Sequence, residues 1–208
     1  MRTHGDTADV ATRERILMEA RHLFMQRGFA DVSMGEVAVH AGVTKPTLYY
    51  HFGDKESLYA EVISAVIREV GGYIRGVTES PRPLRQRLYD LALGYFLHAD
   101  YTMEPMLRDV GALLGAERAT RVRAIYDREF FAPIEALMAD GMRRGELRQS
   151  SDTATLAHAF LGLLDALTAT GGHSARTQAE HQATAHHMVS LFLDGAALPG
   201  CERSVLSS

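Results

Sequence analysis

The most informative segment of this chain is residues 41–55, which read AGVTKPTLYYHFGDK. Gly42 is typical of a helix end, because glycine adopts without steric cost the left-handed conformation that closes a last helical turn. Thr44 predicts the cap of a second helix, and Pro46 suits that helix's first turn, where no backbone N–H is needed. The segment therefore predicts a helix, a tight turn and a second short helix.

This second short helix has one apolar side and a larger displayed side. Because successive residues are about 100° apart, Leu48 and Phe52 share one face, and we expect them to anchor the helix. The other faces display Lys45, Thr47, Tyr49, Tyr50 and His51. Lysines and hydroxyls reach phosphates, and some of these groups also reach base edges, so the display predicts a nucleic-acid contact.

Charge is distributed in a way that supports this interpretation. The formal net charge is −4, so a nucleic-acid surface must arise from local segregation of charge. Lys45 and Lys55 are the only lysines in the sequence, and both lie in this segment. Asp54 is a plausible cap for the next helix. Lys55 at that helix's start opposes the helix dipole, which favours a bound anion such as a phosphate.

Composition limits the remaining classes. The chain has 208 residues, enough for one large or two small domains, with 46% apolar and 23% charged residues, as in soluble globular proteins. Its single cysteine, Cys201, allows no disulfide within the chain. No apolar leader or run of about 18 apolar residues occurs, so we expect a cytoplasmic protein. Phosphate-binding loops and nucleophile elbows are also missing from the sequence, so we do not expect an enzyme.

Helical periodicity extends along the whole chain and predicts an all-α fold. The first helix runs from about Thr12 to Gly28, and Ser33 to Glu36 has the spacing of a capping box that opens the second. The fourth helix starts near Asp54 and is expected to fray near Gly71. Further helices are predicted at about 84–98, 104–114, 117–144 (bent at Pro133), 152–171 and 177–193. The predicted domains are 1–54 and 55–208, connected by helix four at about 54–71.

These features together form a helix-turn-helix. The long first helix, the capping box, the segment AGVTKPTLYYHF and the following KESL closely resemble the TetR family of transcriptional regulators over residues 12–62. Gly35 departs from this pattern, since glycine inside a helix costs about 1 kcal/mol relative to alanine. The resemblance implies a three-helix DNA-binding domain followed by a helical domain for effector binding and dimerisation. It places the DNA contacts at Thr44, Lys45, Thr47, Tyr49, Tyr50, His51 and Lys55.

Two further sites are expected in the helical remainder. The middle of the chain is rich in aromatic residues and methionine, which suit either an effector pocket or an ordinary core. The candidates for this pocket are Tyr95, Phe96, His98, Met106, Tyr126 and Phe130. Segment 153–170 is apolar on more than one face, which favours a homodimer interface over burial in a monomeric core. The candidates for this interface are Leu156, Phe160, Leu163, Leu164 and Leu191.

The sequence therefore predicts a ligand-responsive transcriptional regulator, a repressor that a small-molecule effector releases from a palindromic DNA operator. One alternative is a helical small-molecule carrier with a vestigial helix-turn-helix, which the intact Lys45, Tyr49, Tyr50 and Lys55 disfavour. Another is an architectural DNA-binding protein, which the lack of a strongly basic surface disfavours. The spacing of His181, His186 and His187 is not that of a helical metal pair, and we predict no metal or cofactor.

Overall fold

The computed structural model of the chain describes residues 4–97, 110–149, 152–169 and 177–194. The regular structure in these ranges is helical and contains no strand, so the predicted all-α class is confirmed. Residues 110–113 are helical. The helices with both ends described are α1 (His4–Arg27), α2 (Met34–His40), α3 (Lys45–Phe52), α4 (Lys55–Thr78), α5 (Leu84–Leu97), α6 (Gly115–Tyr126), α7 (Ala132–Arg143), α8 (Thr153–Ala169) and α9 (Gln178–Asp194), and a π-helical turn (Asp127–Phe131) joins α6 to α7.

Backbone contacts divide the chain into two compact units. The first comprises 1–76 with 101–134, and the second comprises 77–100 with 135–208. The first unit therefore includes most of α4, all of α6 and the π turn as well as the helix-turn-helix. The predicted domain boundary at residue 54 stays a prediction. None of the described helices has the length and apolar content needed to cross a membrane.

Three side-chain caps set the helix starts of the first unit, as the sequence predicts. Ser33 Oγ accepts from the Glu36 amide at 3.2 Å, and the Glu36 carboxylate accepts from the Ser33 amide at 2.8 Å, which completes the capping box. Thr44 Oγ1 accepts from the Thr47 amide at 3.2 Å at the start of α3. Asp54 Oδ1 accepts from the Ser57 amide at 2.6 Å at the start of α4.

Two helix ends differ from the prediction. Helix α1 begins at His4, eight residues before Thr12, and α4 continues through Gly71 to Thr78. A Cβ atom added to Gly71 would lie only 2.6 Å from the carbonyl oxygen of Glu129 in the π turn. Gly71 is therefore a point of close helix approach, and the interpretation of this glycine as a helix end is wrong.

The single bent helix predicted for 117–144 is instead two α-helices joined by the π turn. The amide of Ala132 donates to the Asp127 carbonyl, five residues back. Pro133 lacks an N–H, so the carbonyl of Glu129 cannot receive the α-helical hydrogen bond from that position. The irregularity thus falls in the turn before the proline, and it frees the Glu129 carbonyl to approach Gly71.

The second unit packs α5 against α9 and α8. Its core includes Leu84, Leu88, Phe96, Phe160 and Met188, all buried. One buried cation, Arg87, donates to the carbonyl of Thr78 at 3.0 Å and to Asp140 at 2.8 Å. These partners compensate in part for the loss of water around the guanidinium group, whose Nε atom is buried without a hydrogen-bond partner.

Candidate nucleic-acid interface

Helix α3 is oriented by its two apolar anchors. Leu48 is fully buried and Phe52 is 6% exposed, so this face lies in the core of the first unit. The opposite side leaves Tyr50 80% exposed and Tyr49 49% exposed, and Lys45 is also exposed. Two neighbouring tyrosine rings with this much exposed surface favour a binding role, because a ring of this size gains free energy when it is buried.

An open groove of about 540 Å³ lies beside α3. The two lysines and Tyr49 line it together with residues before α2 and in its first turn, namely Ala30, Asp31, Val32, Ser33, Met34, Gly35 and Glu36. A Cβ atom added to Gly35 would lie 2.9 Å from Lys45 Cε. The unusual glycine in α2 therefore leaves room for the Lys45 side chain, which gives a reason for the one departure from the family pattern.

Lys55 is held at the rim of this groove. Its Nζ atom lies 4.2 Å from the centroid of the Phe29 ring and 3.4 Å from the carbonyl oxygen of Ala30. Phe29 is itself fixed by Tyr59, whose ring centroid is 5.0 Å away. An ammonium group over an aromatic face is attracted by the ring quadrupole, so this arrangement places a cation beside the groove without neutralising its charge.

The cations of this unit are segregated by their partners. Every arginine of α1 has a partner within the chain. Arg15 donates to the carbonyl of Ala41 at 2.8 Å, and the other three form ion pairs: Arg13 with Glu61, Arg21 with Glu69, and Arg27 with Glu36 at 3.1 Å. Neither Lys45 nor Lys55 forms an ion pair with any residue that the structure describes. The two lysines are thus the cations of the groove with capacity for an added anion.

The remaining predicted contact residues differ in availability. Thr47 faces Thr44 across 2.8 Å between their hydroxyl oxygens, so the pair shares a hydrogen bond at the start of α3. The His51 side chain is only 5% exposed, and its Nε2 lies 3.6 Å from Asp9 Oδ1 on α1. The early start of α1 explains this cover, which the sequence prediction missed. The placement weighs against a DNA contact by His51, which stays a prediction.

Carboxylates near the groove are kept ionised by their hydrogen bonds. The backbone and side chain of Ser33, followed by Arg27, lower the pKa of Glu36 to about 2. Ser57 is the main cause of the lowered pKa of Asp54, and the charge of Arg118 adds to it. Within the described residues, no group of three or more His, Cys, Asp or Glu could hold a metal ion.

One residue at this surface was missed by the sequence analysis. Arg118 on α6 donates to Asp54 at 2.6 Å and to Ser57 Oγ at 3.2 Å, so it binds the cap that starts α4. It lies more than sixty residues from both partners, and no local pattern marks it. Its position could be recognised only from the packing of α6 in the first unit.

Of the six predicted effector residues, four lie in the described part of the chain, two in each compact unit. Tyr95 and Phe96 lie on α5, where the Tyr95 hydroxyl donates to Asp165 and Phe96 is buried. Tyr126 and Phe130 lie on α6 and the π turn with their rings stacked at 4.9 Å. The other two candidates, His98 and Met106, are outside the described residues. An effector pocket at these residues stays a prediction.

The predicted dimer residues divide by burial. Phe160 is fully buried and Leu164 is 2% exposed within the second unit, and the Phe160 ring lies 5.3 Å from that of Phe192. Leu156 and Leu163 are half-buried, and Leu191 is 40% exposed. Part of the apolar excess on α8 is therefore used by the chain's own core, and three leucines retain surface for a partner. The interface itself stays a prediction.

Comparison with known proteins agrees with the geometry of the first unit. Residues 16–62 match the sequence model of bacterial regulatory proteins, tetR family. Several curated regulators are 37–47% identical over 51–87 residues, but the chain spans only 24–38% of the length of these relatives. A longer match is the transcriptional repressor KstR2 of Rhodococcus jostii, 26% identical over 93% of this chain and 96% of that protein.

Solved structures extend the likeness to the whole fold. A crystal structure from Mesorhizobium loti assigned to the TetR family has a TM-score of 0.69 and 26% identity, covering 93% of this chain and 98% of that one. AibR in complex with isovaleryl coenzyme A and operator DNA has a TM-score of 0.68 over 88% of this chain and 98% of AibR; at 19% identity it shows the shared fold alone. These matches confirm the resemblance to the TetR family of transcriptional regulators that residues 12–62 predict.

Proposed function

We propose that this protein is a ligand-responsive transcriptional repressor that binds a palindromic DNA operator as a homodimer and leaves it when a small molecule binds. The observation that carries the proposal is the exposed surface formed by α3 and the start of α4. It combines Tyr49 and Tyr50 with Lys45 and Lys55, two cations without ion-pair partners among the described residues. This arrangement would supply phosphate contacts and base-edge contacts from α3 and from the first residue of α4, as a major-groove reader needs.

Each residue has a distinct part in this proposal. Lys55 beside the groove contacts a phosphate, and Lys45, which also lines the groove, contacts a phosphate or a guanine edge. Tyr49, Tyr50 and Thr47 contact backbone oxygens, base edges or a thymine methyl. One helix-turn-helix reads few bases, so we expect two chains, joined through Leu156, Leu163 and Leu191, to bind one operator. Their paired α3 helices would enter successive major grooves, which are roughly 34–36 Å apart.

The effector would control operator binding if it binds better to a conformation in which the spacing of the two α3 helices does not match that of successive major grooves. Such a ligand shifts the population away from the DNA-binding arrangement by its differential affinity for the two states. AibR, a structural neighbour, is seen with both isovaleryl coenzyme A and operator DNA, which supports a small-molecule effector for this fold. An acyl thioester of this kind is the first effector class to test.

The test is a fluorescence-anisotropy titration with an operator selected from random duplexes. Wild type should prefer the selected palindrome over random DNA, with two chains bound per palindrome. Lys45→Ala and Lys55→Ala should each weaken binding, with the slope of log K against log salt shallower by about 0.9 for each lost phosphate contact.

Arg121→Ala is the matched control, because Arg121 is an exposed cation of the same unit that pairs with Glu117 on α6. It should leave the salt slope unchanged. A wild type with no preference for any duplex would overturn the proposal and favour the small-molecule carrier instead. If wild type and both lysine variants have the same slope of log K against log salt, neither lysine contacts a phosphate of the operator.

A further inference from the structure

Helix α4 is attached near both ends to the element formed by α6 and the π turn. At its start, Arg118 donates through Nη2 to Asp54 at 2.6 Å and through Nε to Ser57 Oγ at 3.2 Å. Asp54 is thus shared: one oxygen caps α4 through the Ser57 amide, and the other binds Arg118. Movement of α6 therefore acts directly on the first turn of α4.

The second attachment is a close backbone approach. The carbonyl oxygen of Glu129 reaches the position that a Cβ of Gly71 would occupy, and the Glu129 carboxylate binds Arg75 one turn further along α4. A backbone-to-backbone contact of this kind tolerates little sliding, because interiors are close-packed. The π turn at this contact is the irregular part of the element, and such turns are frequent at functional positions.

The recognition helix is directly connected to this clamped start of α4. Helix α3 ends at Phe52, and only Gly53 separates it from Asp54. The Gly53 amide donates to the Tyr49 carbonyl at 2.8 Å, and the Asp54 amide donates to the Phe52 carbonyl at 2.9 Å. A displacement of Asp54 therefore changes the end of α3 that carries the exposed tyrosines.

We propose that Arg118 is a positioning residue that couples α6 to the recognition helix through the shared Asp54 cap. With Glu129 holding α4 at the far contact, Arg118 sets where the α3–α4 junction lies for each position of α6. This inference rests on the proposed function, since it names a contact through which a change in α6 would reach the DNA-reading helix. A surface ion pair that only stabilised the fold would not transmit such a change.

The experiment is hydrogen–deuterium exchange of the full chain with and without the selected operator duplex. In wild type, operator binding should change amide exchange both at residues 44–57, which contain α3, and at residues 115–131. Arg118→Gln should keep the change at 44–57 and reduce the change at 115–131 about two- to fivefold, the range of a partly exposed ion pair. Arg121→Gln, three residues along α6, should behave as wild type.

A double-mutant cycle provides the second readout. Asp54→Asn retains an oxygen that can cap α4 but removes the charge that Arg118 binds. Asp54→Asn should reduce the change in amide exchange at residues 115–131 as Arg118→Gln does. The double variant should reduce this change no further, because both substitutions remove the same contact.

Two results would overturn the coupling while leaving the proposed function in place. One is a wild type that binds operator selectively without any change at 115–131, and the other is an Arg118→Gln variant that transmits as wild type does. A wild type that selects no duplex at all fails at the earlier step, and it would refute the proposed function itself.

Discussion

Adjacent glycines in α4 allow a sharp test of the packing between α4 and the π turn. A Cβ atom on Gly71 would lie 2.6 Å from the Glu129 carbonyl oxygen and 2.9 Å from Glu129 Cβ, whereas one on Gly72 would meet nothing within 4 Å. The two glycines are adjacent residues of the same helix. Gly71→Ala and Gly72→Ala therefore differ chiefly in this one contact.

The expected magnitudes follow from two opposing contributions. Replacing a helical glycine by alanine stabilises the helix by about 1 kcal/mol, and this gain applies to both positions. Inserting a methyl group against a backbone atom that cannot rotate away costs about 1–3 kcal/mol. We therefore expect Gly72→Ala to raise the free energy of unfolding by about 1 kcal/mol. Gly71→Ala should be neutral or destabilising by up to about 2 kcal/mol.

Thermal unfolding followed by circular dichroism measures this difference. For a chain of this size, 1 kcal/mol corresponds to a Tm shift of about 2–4 °C, so Gly72→Ala should melt above wild type and Gly71→Ala at or below it. Chain concentration must be equal in all samples, because association also changes Tm. Gly76→Ala, another open position on α4, should repeat the Gly72 result. If Gly71→Ala melts as high as Gly72→Ala, the close approach of Glu129 is refuted.

Two further predictions concern the entrance to α2. The pKa of Glu36, lowered from 4.5 to about 2 by Ser33 and then Arg27, means that its contribution to stability is complete above about pH 4.5 and is lost as the pH falls towards 2. In acid titrations followed by denaturant unfolding, the stability gap between wild type and Glu36→Gln should shrink over that range; a constant gap would contradict it. Gly35→Ala should raise Tm by about 2–4 °C, since the atoms it meets are the flexible end of Lys45, yet weaken operator binding evenly across sequences by displacing that lysine. Unchanged operator affinity in anisotropy titrations would show that Lys45 can bind DNA from another position.

Local signals in the sequence correctly predicted the caps of the first unit and, with the exception of His51, the exposed residues of α3. Ser33, Thr44 and Asp54 each bind an amide three residues away, so short-range spacing was sufficient to find them. The burial of Leu48 and the exposure of Tyr50 follow from helical periodicity in the same way.

Periodicity could not distinguish the core of one chain from the surface it offers to another. Phe160 and Leu164 are buried within their own unit, while Leu191 is substantially exposed, although all three belong to apolar helix faces. Burial depends on which element packs opposite each face. The dimer prediction could therefore be narrowed to fewer residues only after the packing was known.

The sequence by itself determined the resemblance to the TetR family, the order of the N-terminal helices and the placement of both lysines beside α3, because these depend on patterns that are local in the chain. Only the tertiary structure decided that Gly71 receives a carbonyl, that His51 lies beneath α1, and that Arg118 binds the cap of α4. Each of these contacts joins residues more than forty positions apart in the chain. Such contacts form only when whole helices pack, and the residues involved carry no local pattern of their own.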